Sequence, residues 1–216
     1  MEMGHEVEWC DPPVDGEALA NSYLTLYLGH LAADLRWISQ QTGVPVRRLA
    51  VEPSTRAIGR LGDKLLAQDY ELAKRYWHMA AEQMSRFHQR FDALVMPVTA
   101  DTAPKIGELY PSATRERLMS VLAIPGVSAL ALKAGLLKRL AVDALSRTPF
   151  TQLANLTGQP AMSVPLHVAA NGLPVGVQIV GRFGEDKQLL QLSAALEQQD
   201  VWQHQLPLQA FRPQAG

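Results

Sequence analysis

The chain has 216 residues, 47% of them hydrophobic and 19% charged, enough apolar content to fill one large or two small domains. Twenty basic residues stand against 21 acidic ones with no like-charge block, giving a formal net charge of -1, which points away from nucleic acid and anionic membranes as partners. The single cysteine, Cys10, has no intrachain partner for a disulfide.

The N-terminal MEMGHEVEWC lacks the basic and apolar regions of a signal peptide, so a cytoplasmic location is expected. No apolar run reaches the roughly 18 to 20 residues of a membrane span, since even VSALALKAGLLKRLAV is broken by Lys133 and Lys138. Asn155-Leu156-Thr157 fits the glycosylation acceptor pattern, a match expected to be accidental if the location is cytoplasmic.

In chain order, GHEVEW alternates side chains from His5 to Trp9 and stops at the breaker DPP, which predicts a short strand. Asp15 or Gly16 can cap a long helix from about Glu17 to Gln41, closed by Gly43 and Pro45. Residues 43 to 56 read as irregular. From Asp69 to Phe91 the apolar positions Tyr70, Ala73, Trp77, Ala80, Met84, Phe87 and Phe91 recur every three or four residues, predicting a helix with one buried face.

Ala93 to Met96 form a short apolar run before Pro97, the pattern of a strand buried on both faces. DTAPKIGELYPS is a loop, and two further helices are expected around 112 to 122 and 126 to 145. AMSVPLHV and PVGVQIVG are two strands joined through Asn171-Gly172, a hairpin signal because both residues tolerate positive φ. A helix from Glu185 to Gln199 places Leu189, Leu192 and Leu196 on one face. Strands mixed with long helices, without repeats or an evident linker, predict a single α/β domain over residues 1–216, built around a mixed β-sheet flanked by helices.

The sequence offers little obvious chemistry. The six histidines are scattered, and no metal-ligand spacing is present, so no metal or cofactor is expected. The glycines are dispersed, with no Gly-Gly pair to start a phosphate-binding loop. Ser163 lacks the flanking glycines of a G-x-S-x-G elbow; between Met162 and Val164 its hydroxyl belongs on one face of a pleated strand. Cys10 has no neighbouring base to lower its pKa, and carboxylate pairs such as Glu185 and Asp186 are explained by helix starts.

The last third, TPFTQLANLTGQPAMSVPLHVAANGLPVGVQIVGRFGEDKQLLQLSAALEQ, nevertheless resembles the C-terminal end of the amidase signature family, in which a Pro-Phe, a Gly-x-Pro and a GLPVGVQ run precede a final helix. GHEVEWCDP, VEPSTR and FDALVMPVTADTAPKIGEL look like that family's preceding segments, in the same order. Within the family, the wording of the terminal segment and of the DYELAKRYWHMAAEQMSRF helix is similar to bacterial amidases of the 6-aminohexanoate-cyclic-dimer hydrolase type. That resemblance implies the C-terminal portion of the family fold and hydrolysis of a C–N bond in a linear or cyclic amide with methylene content.

The family's serine nucleophile, cis-peptide serine and lysine base belong to its N-terminal half, and this sequence holds no Ser-Ser pair or Gly-Gly-Ser-Ser-like run to match them. No catalytic residue is therefore carried over, and Ser163, Lys105 and Lys133 do not replace the triad. By position in the family-like segments, substrate-pocket contributors are expected at Thr99, Phe150 and Thr151, with Glu52 and Thr55 as weaker candidates.

Two readings follow from the resemblance. One is an enzyme fragment, cut from a longer polypeptide or made from a truncated reading frame; the other is a non-catalytic partner subunit that adds its strands to a separately encoded N-terminal half. The expected partners are a small-molecule amide, the missing half, or a second copy met through an exposed sheet edge.

Overall fold

The computed structural model describes residues 3–110 and 145–199, together with positions 112, 117, 121 and 202. The helices expected around 112 to 122 and 126 to 145 lie outside the described residues, apart from these single positions and residue 145.

Helix α1 spans Gly16–Thr42. It begins where Asp15 offers its carboxylate to the free N–H groups of Glu17 (2.9 Å) and Ala18 (3.1 Å), and it stops at Gly43, as the sequence predicts. A single 3-10 turn, Val46–Arg48, leads to α2, Pro53–Gly62. This helix overturns the irregular reading over residues 53–56, while residues 43–52 are irregular apart from the 3-10 turn. Pro53 stands in its first turn, where a missing N–H costs nothing.

The glycines that hide α2 in the sequence are what let it pack. A Cβ added at Gly62 would lie 2.0 Å from the Leu28 carbonyl oxygen, and one at Gly59 would lie 2.4 Å from a Leu35 methyl. The backbones of α1 and α2 therefore meet more closely than alanine would permit.

Helix α3 occupies Ala67–Phe87, somewhat earlier than the predicted range. Ala73, Ala80 and Met84 are its buried residues, and Tyr70, Trp77 and Phe87 pack partly buried beside them. Phe91 lies beyond the helix, its ring 4.7 Å from that of Phe87.

Strands β1 (Ala93–Pro97), β2 (Ala161–Val168) and β3 (Pro174–Gly181) form a three-stranded sheet in the order β1-β3-β2. Both ladders among the described residues are antiparallel, running from Ala93 opposite Gly181 to Pro97 opposite Val177 on one side of β3. On the other side the register slips between Val164 and His167, where Pro165 has no N–H to give a ladder. The β2–β3 hairpin closes differently from expectation. Only Gly172 takes positive φ, whereas Asn171 contributes its side-chain oxygen to the Leu173 N–H at 3.1 Å.

Between β1 and β2 in the chain, TQLANLT forms the short helix α4, Thr151–Thr157, ended by Gly158 at φ 71°. Helix α5, Asp186–Glu197, follows β3. The core has two parts. Leu94 and Val180 pack beneath α1, α3 and α4, with Leu26, Met84 and Leu153 among the buried residues. On the other face Val164 and Ile179 meet Leu189 of α5. Helices thus cover both faces of the sheet, the α/β layering that the mixture of elements predicts.

Two strand expectations fail. GHEVEW joins no ladder among the described residues, and Val7 and Trp9 are exposed, the latter by 98%, so alternation alone did not supply a strand partner. The β1 run is not buried on both faces: Val95, opposite Ile179, is 61% exposed, because α5 packs on β2 and β3 and β1 is an edge strand among the described residues.

Candidate functional site

The carboxyl end of β1 is where the expected pocket residues gather. After Pro97 the chain stays tied to the sheet by the Val98 N–H donating to the Gly176 carbonyl (3.0 Å), then to the 145–150 segment by Ala100 N–H donating to the Arg147 carbonyl (2.9 Å). Thr99 sits between these two anchors, its hydroxyl donating to the Asp101 carbonyl at 2.8 Å. Phe150 precedes α4, and its carbonyl accepts from Gln178 Nε2 of β3 at 3.5 Å. Thr151 opens α4, its carbonyl accepting from Asn155 Nδ2 at 2.9 Å.

Glu52 and Thr55 are placed elsewhere. Glu52 is exposed and Thr55 half-buried at the start of α2, where the Thr55 hydroxyl donates to Glu52 Oε2 at 3.2 Å. Neither lines a cavity found near Phe150.

That cavity holds about 340 Å³ between the start of α1 and the 145–153 segment. Its lining is apolar and includes Leu19, Met96, Leu145, Phe150 and Leu153. Exposed Gly16 and Pro149 also line it, so it reaches the surface. Of the expected residues Phe150 alone is in the wall, while Thr99 and Thr151 flank the same region through their neighbours.

One polar side chain interrupts this apolar lining. Gln152 is only 6% exposed, and its Oε1 has no hydrogen-bond partner among the described residues. An unmet buried acceptor costs about 1–3 kcal/mol, and Oε1 itself is sealed from the cavity that the residue lines. Sequence reasoning missed Gln152. The available signal was its spacing of four from Leu156, which puts both on the inward face of a two-turn helix.

A second, more polar groove of about 760 Å³ runs between α3 and the turns after α4 and β3, lined by His78, Ser85, His88, Gln159 and Arg182 among others. His88 is 4% exposed. Its Nδ1 donates to the Phe91 carbonyl at 3.0 Å, because a carbonyl can only accept, and Nε2 is without a partner among the described residues. Burial pushes its pKa below the ordinary 6.5, and the nearby Arg182 charge adds to the effect, against the opposing influence of the Phe91 carbonyl and Asp92. Arg182 is itself paired with Asp92 at 2.7 Å. None of the expected pocket residues lies in this groove.

Ser163 faces out of β2 opposite Gln178, its hydroxyl over Gly176, as a strand residue rather than an elbow nucleophile. Among the described residues no group of three or more His, Cys, Asp or Glu could hold a metal ion, and no helix is long and apolar enough to cross a membrane.

Comparison with known proteins extends these observations. The family model described as Amidase matches residues 1–190. A lipoamidase of Enterococcus faecalis is 34% identical over 196 residues, which cover 91% of this chain and 27% of the lipoamidase. A 6-aminohexanoate-cyclic-dimer hydrolase of Pseudomonas sp. (strain NK87) is 28% identical, covering 98% of this chain and 39% of the hydrolase. In three dimensions the chain is similar to a 6-aminohexanoate cyclic dimer hydrolase complexed with substrate, with a TM-score of 0.70 and 24% identity across 99% of this chain and 40% of that one. The chain therefore spans roughly a quarter to two-fifths of the length of these relatives.

Proposed function

The chain belongs to the amidase family, and from that premise we propose that it is the C-terminal portion of an amide C–N bond hydrolase, supplying sheet scaffold and one wall of the substrate pocket. The observation that carries this reading is the match itself: nearly the whole chain aligns, yet to only 27% to 40% of the relatives. The edge position of β1, with Val95 uncovered, is what a sheet cut from a larger one would show. Thr99, Phe150 and Thr151, grouped at the end of β1, are the proposed contributors to the pocket wall. Glu52 and Thr55, bonded to each other at the start of α2, have a weaker claim on the substrate.

Hydrolysis of an amide needs a nucleophile, its base and oxyanion donors held within about 3 Å of one carbonyl carbon. The family's serine pair and lysine have no counterparts in this sequence, so the isolated chain is inactive and the reaction belongs to the complete enzyme. There the acyl group would pass to the serine as the amine departs with a proton, and water would then release the acid. Incubation of the purified chain with a fluorophosphonate probe tests this. No labelling is expected, whereas labelling abolished by Ser163→Ala would overturn the reading.

The exposed β1 edge also favours a second reading, in which the chain is a partner subunit of a split amidase and receives strands from a separately encoded half. The coding sequence upstream of Met1 distinguishes the two. An in-frame Gly-Gly-Ser-Ser run there supports a fragment, and a separate gene carrying it supports a split enzyme.

A further inference from the structure

We propose that the apolar cavity is the subsite for the acyl chain of the substrate, and that it accepts a straight aliphatic chain ending in an uncharged group while excluding the same chain ending in an ammonium or a carboxylate. This rests on the reading of the cavity as part of an amide-hydrolase pocket, and it names that pocket's substrate class. The chemistry of the wall carries it. Val14, Leu19, Met96, Phe150 and Leu153 supply most of the lining, none of the described residues that line the cavity is charged, and the Gln152 carbonyl oxygen is sealed from the space.

The charged groups nearest in the chain are held elsewhere. The Asp15 carboxylate, between Val14 and Gly16, caps α1 through the N–H groups of Glu17 and Ala18. Arg147, between Leu145 and Pro149, is paired with Glu108. A charged chain end in the cavity would therefore leave water without meeting a counter-ion, a loss that apolar contact does not offset. A methyl end has the opposite balance, since each methylene taken out of water strengthens binding by about fourfold. Size agrees with a short chain. The volume of about 340 Å³ lies at the small end of ligand pockets, and two small residues, half-buried Ala20 and exposed Gly16, leave the space and its mouth open.

The test is a binding comparison on the full chain with heptanamide and 6-aminohexanamide, which are matched in length and differ only in a terminal methyl against a terminal ammonium. Binding is read from the ¹³C-methyl signal of Met96, assigned through Met96→Leu. The native chain is expected to bind heptanamide at least about a hundredfold more tightly than 6-aminohexanamide. Ala20→Leu, which takes up part of the cavity, should weaken heptanamide binding by about tenfold or more. Gly16→Leu should act in the same direction from the mouth, where an added Cβ meets nothing within 4 Å and the fold is left undisturbed. Unchanged thermal midpoints establish that the variants are folded.

Equal binding of the two probes by the native chain would overturn the exclusion of charge and leave the pocket reading intact. Heptanamide binding unchanged in both variants would place the ligand elsewhere and overturn the subsite. Binding of neither probe by the native chain would also overturn the subsite, whereas the amide-hydrolase reading rests on the family match and has its own test in fluorophosphonate labelling.

Discussion

At the scale of single residues the two informative side chains are Gln152 and His88, and neither stood out in the sequence. A glutamine in TQLANLT and a histidine late in a long helix are ordinary residues until burial is known. His88 is buried with one ring nitrogen satisfied and, among the described residues, the other not. Its folded pKa lies below the unfolded 6.5, with Arg182 and Asp92 the charged groups acting on it. In the interval between those two values the unfolded chain binds more protons, so stability is fully kept above about pH 6.5 and is lost as pH falls. Thermal midpoints measured at pH 7.5 and 5.5 should therefore fall more for the native chain than for His88→Asn, whose amide N–H can still reach the Phe91 carbonyl. Equal falls would show that His88 is not the titrating group.

At the scale of elements, legibility followed the hydrophobic period. Helices α1, α3 and α5 announced themselves through capping residues or spacing, and both strands of the β2–β3 hairpin through alternation around Asn171-Gly172. Helix α2 did not, because PSTRAIGRLG carries two glycines that helix propensity disfavours by about 1 kcal/mol each, and their purpose is a tertiary contact. The two glycines should respond differently to alanine. At Gly62 the new Cβ would meet the Leu28 carbonyl oxygen at 2.0 Å, a backbone atom that cannot yield, so the clash outweighs the propensity gain and stability should fall by about 1–3 kcal/mol. At Gly59 the obstacle is a Leu35 methyl at 2.4 Å, the end of a flexible side chain, and the loss should be clearly smaller. Urea unfolding of Gly59→Ala and Gly62→Ala followed by circular dichroism gives the order; a Gly62→Ala chain as stable as native would contradict the close crossing. Loss of the α1 cap in Asp15→Ala should cost about 1 kcal/mol in the same assay.

At the scale of the molecule, the family and the partial extent of its fold were readable because its short segments recur in order along the chain, whereas the edge position of β1 was not. The run ALVMP reads as buried on both faces because its apolar residues are continuous, a pattern suited to a strand with neighbours on each side. In this chain Leu94 is buried under the helices while Val95, on the α5 face, lies beyond the reach of α5. The sequence thus carries the pattern of a larger sheet than the one the described residues form. An edge of this kind offers unpaired backbone groups and an apolar surface together, and a second copy can satisfy both. The isolated chain is expected to sediment as a dimer or larger species, and Val95→Lys, which places a charge on that face, should shift it toward monomer without loss of helical signal. A native chain that sediments as a compact monomer at all accessible concentrations would count against the half-sheet reading, because the uncovered face would then need no partner.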